Sequence, residues 1–107
     1  MSPFRKLFRA EKLREGEVVV GRYGVRQVAV VLQEGKLFAF KNTCPHAGAP
    51  LSGGTLSAGC ITCPRHAWRF HLDDGRCDDQ EMYALSLYEA REQDGWIEAR
   101  PLKEEIW

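Results

Sequence analysis

The chain has no apolar run long enough to cross a bilayer. Its longest lies around Val28 to Leu32, far short of the roughly 20 residues that a spanning helix needs. It also has no net charge: 15 basic residues cancel 15 acidic ones and the pI is about 6.8. That balance argues against nucleic acid or an anionic membrane as the main partner. Repeats and low-complexity stretches are absent, and no G-x-G-x-x-G fingerprint is present, so the chain is not expected to oxidise a nicotinamide itself. The N-terminus, Met1-Ser2-Pro3-Phe4-Arg5-Lys6-Leu7, lacks the apolar core of a signal peptide, and a cytoplasmic protein is the expectation. Cysteine is scarce, with four in 107 residues. In a reducing compartment, cysteines clustered with histidines bind metal more often than they form disulfides.

What the chain does contain is strand signals. Val18-Val19-Val20 and Gln27 to Leu32 are β-branched or alternating runs. The second ends at Gln33-Glu34-Gly35-Lys36, which reads as a turn, and Leu37 to Phe40 reads as its returning strand. Trp68 to Leu72 predicts a strand with its turn at Asp73-Asp74-Gly75. Tyr83 to Tyr88 and Trp96 to Ala99 predict closing strands around Gln93-Asp94-Gly95. Phe8 to Glu15 is too short for a stable isolated helix and is read as a strand followed by a connector.

The middle of the chain differs from both flanks. From Asn42 to Phe70 the only formal charges are Arg65 and Arg69, and Pro45, Pro50, Pro64, Gly48, Gly53, Gly54 and Gly59 crowd the stretch. This is loop chemistry, and it holds Cys44-Pro45-His46 and Cys63-Pro64-Arg65-His66. Sixteen residues separate His46 from Cys63. Each motif offers one thiolate and one imidazole, both good iron ligands. Two Cys and two His also make a zinc set. The single residue between Cys44 and His46 is tight for zinc, so a zinc-stabilised interaction module is the lesser alternative.

The pattern Cys-x-His, sixteen residues, Cys-x-x-His resembles the Rieske iron–sulfur family. Cys44-Pro45-His46-Ala47-Gly48-Ala49-Pro50-Leu51 is similar to the family's first cluster loop. Cys63-Pro64-Arg65-His66-Ala67-Trp68-Arg69-Phe70 is similar to the second, and Leu72-Asp73-Asp74-Gly75-Arg76 to the turn after it. The resemblance implies one 2Fe-2S cluster, with Cys44 and Cys63 on one iron and His46 and His66 on the other, at an exposed tip. It implies an all-β domain over residues 1–107, with a base of antiparallel sheets over about 1–42 and 71–107. A cluster-binding insertion would occupy about 43–70.

Replacing two thiolates by two imidazoles removes two negative charges, so the potential rises above that of an all-Cys ferredoxin. Within the family the potential should nevertheless be low. Ala49 and Arg65 stand where respiratory members carry a disulfide, and Trp68 and Phe70 stand where those members supply hydroxyls. Reduction should also raise the basicity of the two imidazoles, and a midpoint flat with pH through their titration would exclude that coupling.

The implied function is a soluble ferredoxin carrying single electrons from a reductase to a terminal oxygenase or other redox enzyme. The alternative is the small subunit of a nitrite-reductase-like complex. The chain is too short to add an oxygenase's mononuclear iron domain, so a partner would supply catalysis.

Other residues have plainer readings. Cys60 and Cys77 lie outside the pattern and read as reduced, packed side chains. His71, one residue after Phe70, should face away from it as an ordinary polar residue. Arg65 and Arg69 read equally as docking charges or solvated arginines. Asp78, Asp79 and Glu81 read as a solvated face. Gly48, Gly53 and Gly54 should permit tight turns around the cluster. Leu51, Ile61 and Trp68 should screen it from water.

Overall fold

A run of four consecutive residues with no exposed surface, Val28-Ala29-Val30-Val31, marks the centre of the molecule. In the computed structural model, which describes residues 2–46, 48–65 and 67–102, this run lies on β3 (Arg26–Gln33). A strand sends alternate side chains to opposite faces. Val28 and Val30 therefore enter one core, with Phe8, Tyr23, Ala39, Tyr88, Ile97 and Ala99. Ala29 and Val31 enter another, with Phe40, Leu51, Ile61, Phe70, Cys44 and Cys63. A strand covered on both faces reads as a continuous apolar run, which is why β3 shows no polar alternation.

The larger sheet has the order β1-β9-β8-β4-β3-β2. Its other strands are β1 (Arg5–Arg9), β2 (Val18–Tyr23), β4 (Lys36–Lys41), β8 (Leu87–Gln93) and β9 (Trp96–Pro101). All the pairings in it are antiparallel. The sheet curls until its edges meet. A Cβ added to Gly21 on β2 would sit 2.7 Å from the Cβ of Leu7 on β1, so only glycine lets the two edge strands approach so closely. A smaller sheet, β5 (Thr55–Ser57), β6 (Cys60–Thr62) and β7 (Arg69–His71), packs on the outside of β3 and β4. The fold is all-β, and among the described residues the helical pieces are two single 3-10 turns, Ala10–Lys12 and Leu51–Gly53.

Three hairpins turn on two residues with positive φ: Glu34-Gly35, Ala58-Gly59 and Asp94-Gly95. Two positive φ values in a two-residue loop match the right-handed twist of the strands they join. Glu15 reinforces the first, its carboxylate accepting the N–H groups of Glu34 and Gly35 at 2.7 and 3.1 Å.

The N-terminal strand ends at Arg9 and a 3-10 turn opens the connector after it, in line with the reading of that stretch. Other expectations need correcting. The expected strand from Trp68 begins at Arg69, because the Trp68 carbonyl closes the preceding loop by accepting the Cys63 N–H. The expected strand over Tyr83 to Tyr88 begins only at Leu87. Tyr83 packs instead against Trp68, and the Leu85 N–H donates to the Gly75 carbonyl. The stretch from Asn42 to Phe70 is not all loop, since it contains the β5–β6 hairpin.

Candidate metal centre

The two cysteine loops are built alike. In the first, the Cys44 N–H donates to the Ala49 carbonyl at 2.8 Å and the Gly48 N–H donates back to the Cys44 carbonyl at 2.8 Å. In the second, the Cys63 N–H donates to the Trp68 carbonyl at 2.8 Å and the Ala67 N–H to the Cys63 carbonyl at 3.0 Å. The residue four after each cysteine is left-handed, with φ +70° at Gly48 and +58° at Ala67. A proline follows each cysteine and fixes the first φ of the turn. Like sequences thus fold into like turns, each presenting its cysteine from the same place.

Each loop has its own support. The first is fastened by Asn42, 5% exposed, whose amide donates to Gln27 Oε1 at 3.2 Å and Ser52 Oγ at 3.1 Å and whose oxygen accepts the Ser52 N–H at 2.8 Å. That network ties the end of β4 to the 3-10 turn beyond the loop. The second spans the β6–β7 pair, Thr62 facing Arg69. The two supports touch at Gly54, where an added Cβ would lie 2.0 Å from the Thr62 carbonyl oxygen. Gly54 is therefore required by close approach, whereas Gly48 is favoured by its positive φ, which Ala67 also adopts in the second loop. Gly53 has neither constraint, its nearest neighbour for a Cβ being Pro64 Cγ at 4.0 Å.

The loops place Cys44 and Cys63 in one apolar cluster, each 1% exposed, with Ala49, Leu51, Ile61 and Phe70. His46 sits further out and is exposed. Its ring stacks on Trp68 with centroids 4.0 Å apart and planes 23° apart, and Tyr83 meets it edge-on at 5.7 Å. Of the four residues expected as ligands, three are described in these positions, and His66 lies outside the described residues. Leu51 and Ile61 are fully buried, as screening residues should be, whereas Trp68 is half-buried and covers His46.

The flanking charges divide. Arg65 is exposed, but Arg69 turns away and donates from Nη2 to Cys60 Sγ at 3.7 Å. The Cys60 sulfur and the neighbouring carboxylates of Asp78 and Asp79 raise the Arg69 pKa. Asp78 is not merely solvated, since it meets His71 Nε2 at 2.7 Å, and that contact lowers its pKa. Asp79 accepts the Arg69 N–H at 2.9 Å.

The donor chemistry fits an iron–sulfur cluster. Two buried thiols on matched loops share one apolar cluster, and an exposed imidazole lies on the first of those loops. The profile of the Rieske 2Fe-2S domain matches residues 4–89, and the chain belongs to that family, whose domain binds a 2Fe-2S cluster. The ferredoxin component of the naphthalene 1,2-dioxygenase/salicylate 5-hydroxylase systems of Ralstonia sp is 33% identical over 66 residues, 62% of this chain and 64% of that one. Among solved structures, the ferredoxin of carbazole 1,9a-dioxygenase from Nocardioides aromaticivorans IC177 superposes with a TM-score of 0.83 at 24% identity, over 94% of this chain and 99% of that one. A ferredoxin of the carbazole 1,9a-dioxygenase system is also seen in complex with its reduced oxygenase. A protein described as the NADH-dependent nitrite reductase small subunit of Mycobacterium tuberculosis gives a TM-score of 0.83 at 27% identity, over 94% of this chain and 96% of that one. The chain spans about a tenth of the length of the cholesterol 7-desaturases that it also matches. Among the described residues, no helix is long and apolar enough to cross a membrane.

Proposed function

We propose that this chain is a one-electron carrier whose 2Fe-2S cluster is held by Cys44, His46, Cys63 and His66. When bound, the cluster supplies reversible one-electron chemistry. The observation that supports this reading most is the polarity of the site, with buried thiols at its floor and an exposed imidazole at its rim. Cys44 and Cys63 exclude water from the inner side, and Leu51, Ile61 and Phe70 complete the dry wall. His46, braced by Trp68, presents its outer edge to a partner. Pro45, Pro64 and Arg65 are exposed around it, a rim suited to a transient contact.

On this reading the chain has no substrate chemistry of its own. A reductase supplies the electron, and a terminal oxygenase or other redox enzyme consumes it, in the cytoplasm. The similarity to a ferredoxin component of a dioxygenase/hydroxylase system supports that choice. The test is electron paramagnetic resonance of the dithionite-reduced, anaerobically prepared protein. A signal whose average g lies below that of all-Cys ferredoxins is expected, and it should be lost in both Cys44→Ser and His66→Ala. A colourless protein that holds zinc after cluster reconstitution would overturn the reading.

A second reading is favoured by the likeness to the nitrite reductase small subunit. There the chain would be a fixed subunit of a larger reductase. Tight co-purification with a large subunit at stoichiometric ratio separates it from a freely exchanging carrier.

A further inference from the structure

The small sheet has two faces, and only one belongs to the cluster core. Ile61, Phe70 and Cys77 point inward to that core. On the other face Cys60 and His71 are direct cross-strand partners. The antiparallel bridge between Phe70 and Cys77 brings Asp78 alongside them, its N–H donating to the Arg69 carbonyl at 3.0 Å. Three residues from three neighbouring chain segments thus meet on the side of the sheet away from Cys44 and Cys63.

Their polar atoms converge. Cys60 Sγ lies 3.5 Å from His71 Nδ1, and His71 Nε2 lies 2.7 Å from Asp78 Oδ1. One ligand atom from each residue lies within 4.8 Å of the other two. The set is graded outward: Cys60 is buried, while the His71 and Asp78 side chains are 21% and 44% exposed. Thiolate, imidazole and carboxylate together are ligands of zinc. A tetrahedral zinc with ordinary bond lengths would hold its sulfur and nitrogen ligands about 3.5 Å apart, the separation found between Cys60 and His71. Among the three ligands, the exposed Asp78 side chain is then the one that has to turn, from His71 Nε2 toward the ion.

We propose that Cys60, His71 and Asp78 form a second metal site, for a divalent ion of zinc's type, separate from the iron–sulfur centre. Three protein ligands and an open fourth position make it exchangeable rather than structural. Arg69 is the stand-in cation. Its guanidinium contacts Cys60 Sγ at 3.7 Å, and an arriving ion would displace it from the sulfur. Metal occupancy would thereby free a positive charge three residues beyond His66, next to the second cysteine loop.

The test is calorimetric titration of the cluster-loaded protein with zinc chloride under anaerobic conditions, with visible absorbance followed throughout. One zinc per chain with unchanged cluster absorbance is expected. Affinity should fall at least tenfold in Cys60→Ser and in His71→Gln, and remain unchanged in Cys77→Ser, whose sulfur faces the opposite side. If a buried variant fails to fold, Asp78→Asn at the exposed end carries the same expectation. No zinc uptake with the cluster intact, uptake only as the cluster bleaches, or equal affinity in the variants would each overturn the proposal. Cluster content is measured separately in every sample, so loss of the iron–sulfur reading and loss of the zinc site are distinguishable.

Discussion

The imidazole of His46 lies flat on the indole of Trp68, with ring centroids 4.0 Å apart. Tyr83 closes the arrangement, 5.7 Å from His46 and 5.4 Å from Trp68. An exposed candidate ligand on a Pro- and Gly-rich loop is in this way given a fixed wall. Aromatic contacts of this kind contribute about 0.5–1.5 kcal/mol beyond their buried area. Trp68→Ala should therefore loosen cluster retention by roughly 2–10-fold, since about 1.4 kcal/mol is a factor of ten. Trp68→Phe should recover much of it. Iron and sulfide per chain after a timed chelator challenge give the comparison, and equal retention in all three proteins would remove the bracing role.

Ala67 holds a left-handed φ of +58° in the position where the first loop has Gly48. A side chain in that region costs about 1–2 kcal/mol. Ala67→Gly should recover part of that, offset by the greater freedom glycine has when unfolded. A net gain of about 0.5–1 kcal/mol is expected, seen as a higher thermal midpoint. Gly48→Ala should move it the other way.

Gly54 and Gly53 are adjacent but should respond differently. A methyl at Gly54 would meet the Thr62 carbonyl at 2.0 Å, whereas one at Gly53 has its nearest neighbour at 4.0 Å. Gly54→Ala should cost about 1–3 kcal/mol or more as the backbone is pushed apart, and Gly53→Ala should be nearly neutral. Denaturant midpoints of the two variants decide the matter, and equal values would mean that the supports of the two loops are not in register there.

Asp74 accepts the Arg76 N–H at 3.0 Å and the Arg76 guanidinium at 2.6 Å. These contacts hold its pKa below the usual aspartate value, the backbone N–H being the larger cause. A depressed folded pKa means that the stabilisation is present above the ordinary aspartate pKa and is lost as pH falls through the folded value. Asp74→Asn should thus lower stability at neutral pH and flatten the acid limb of the thermal midpoint against pH. An unchanged acid limb would show that the contact is too well solvated to matter.

The reduction midpoint should fall at the low end of the roughly −150 to +300 mV range of Rieske centres. Trp68 and Phe70 carry no hydroxyl, and Phe70 is fully buried among apolar side chains. Hydrogen bonds that would favour the more negative, reduced state are therefore not supplied from these two positions. Protein-film voltammetry gives the value directly, and a midpoint well above zero would contradict the argument.

What could be read in advance follows from how local each signal is. The turns at Glu34-Gly35 and Asp94-Gly95 announce themselves because glycine beside a polar residue favours positive φ. The candidate ligand pairs, Cys44 with His46 and Cys63 with His66, are short-range motifs and so are legible as a set from the sequence alone. The β5–β6 hairpin was not visible, because three-residue strands inside a Gly- and Pro-rich stretch leave no periodicity to count. Asn42 gave no signal either, since its role is to bridge segments that meet only on folding. Cys60, His71 and Asp78 looked ordinary singly because cross-strand pairing is what assembles them.

The burial of β3 on both faces has a consequence for how the chain finds its register. In a half-buried strand, a slip of one residue is penalised at once, because polar side chains are driven inside. On β3 a slip would only exchange Val28 and Val30 with Ala29 and Val31, apolar for apolar. Hydrophobicity is therefore nearly blind to the error at the very centre of the protein. Alignment has to be imposed from the strand's ends, by the two-residue turns at Gly24-Val25 and Glu34-Gly35 that lock it to β2 and β4. The carboxylate of Glu15, clamped on the second of these turns, thus acts at the molecule's periphery to keep its centre in step.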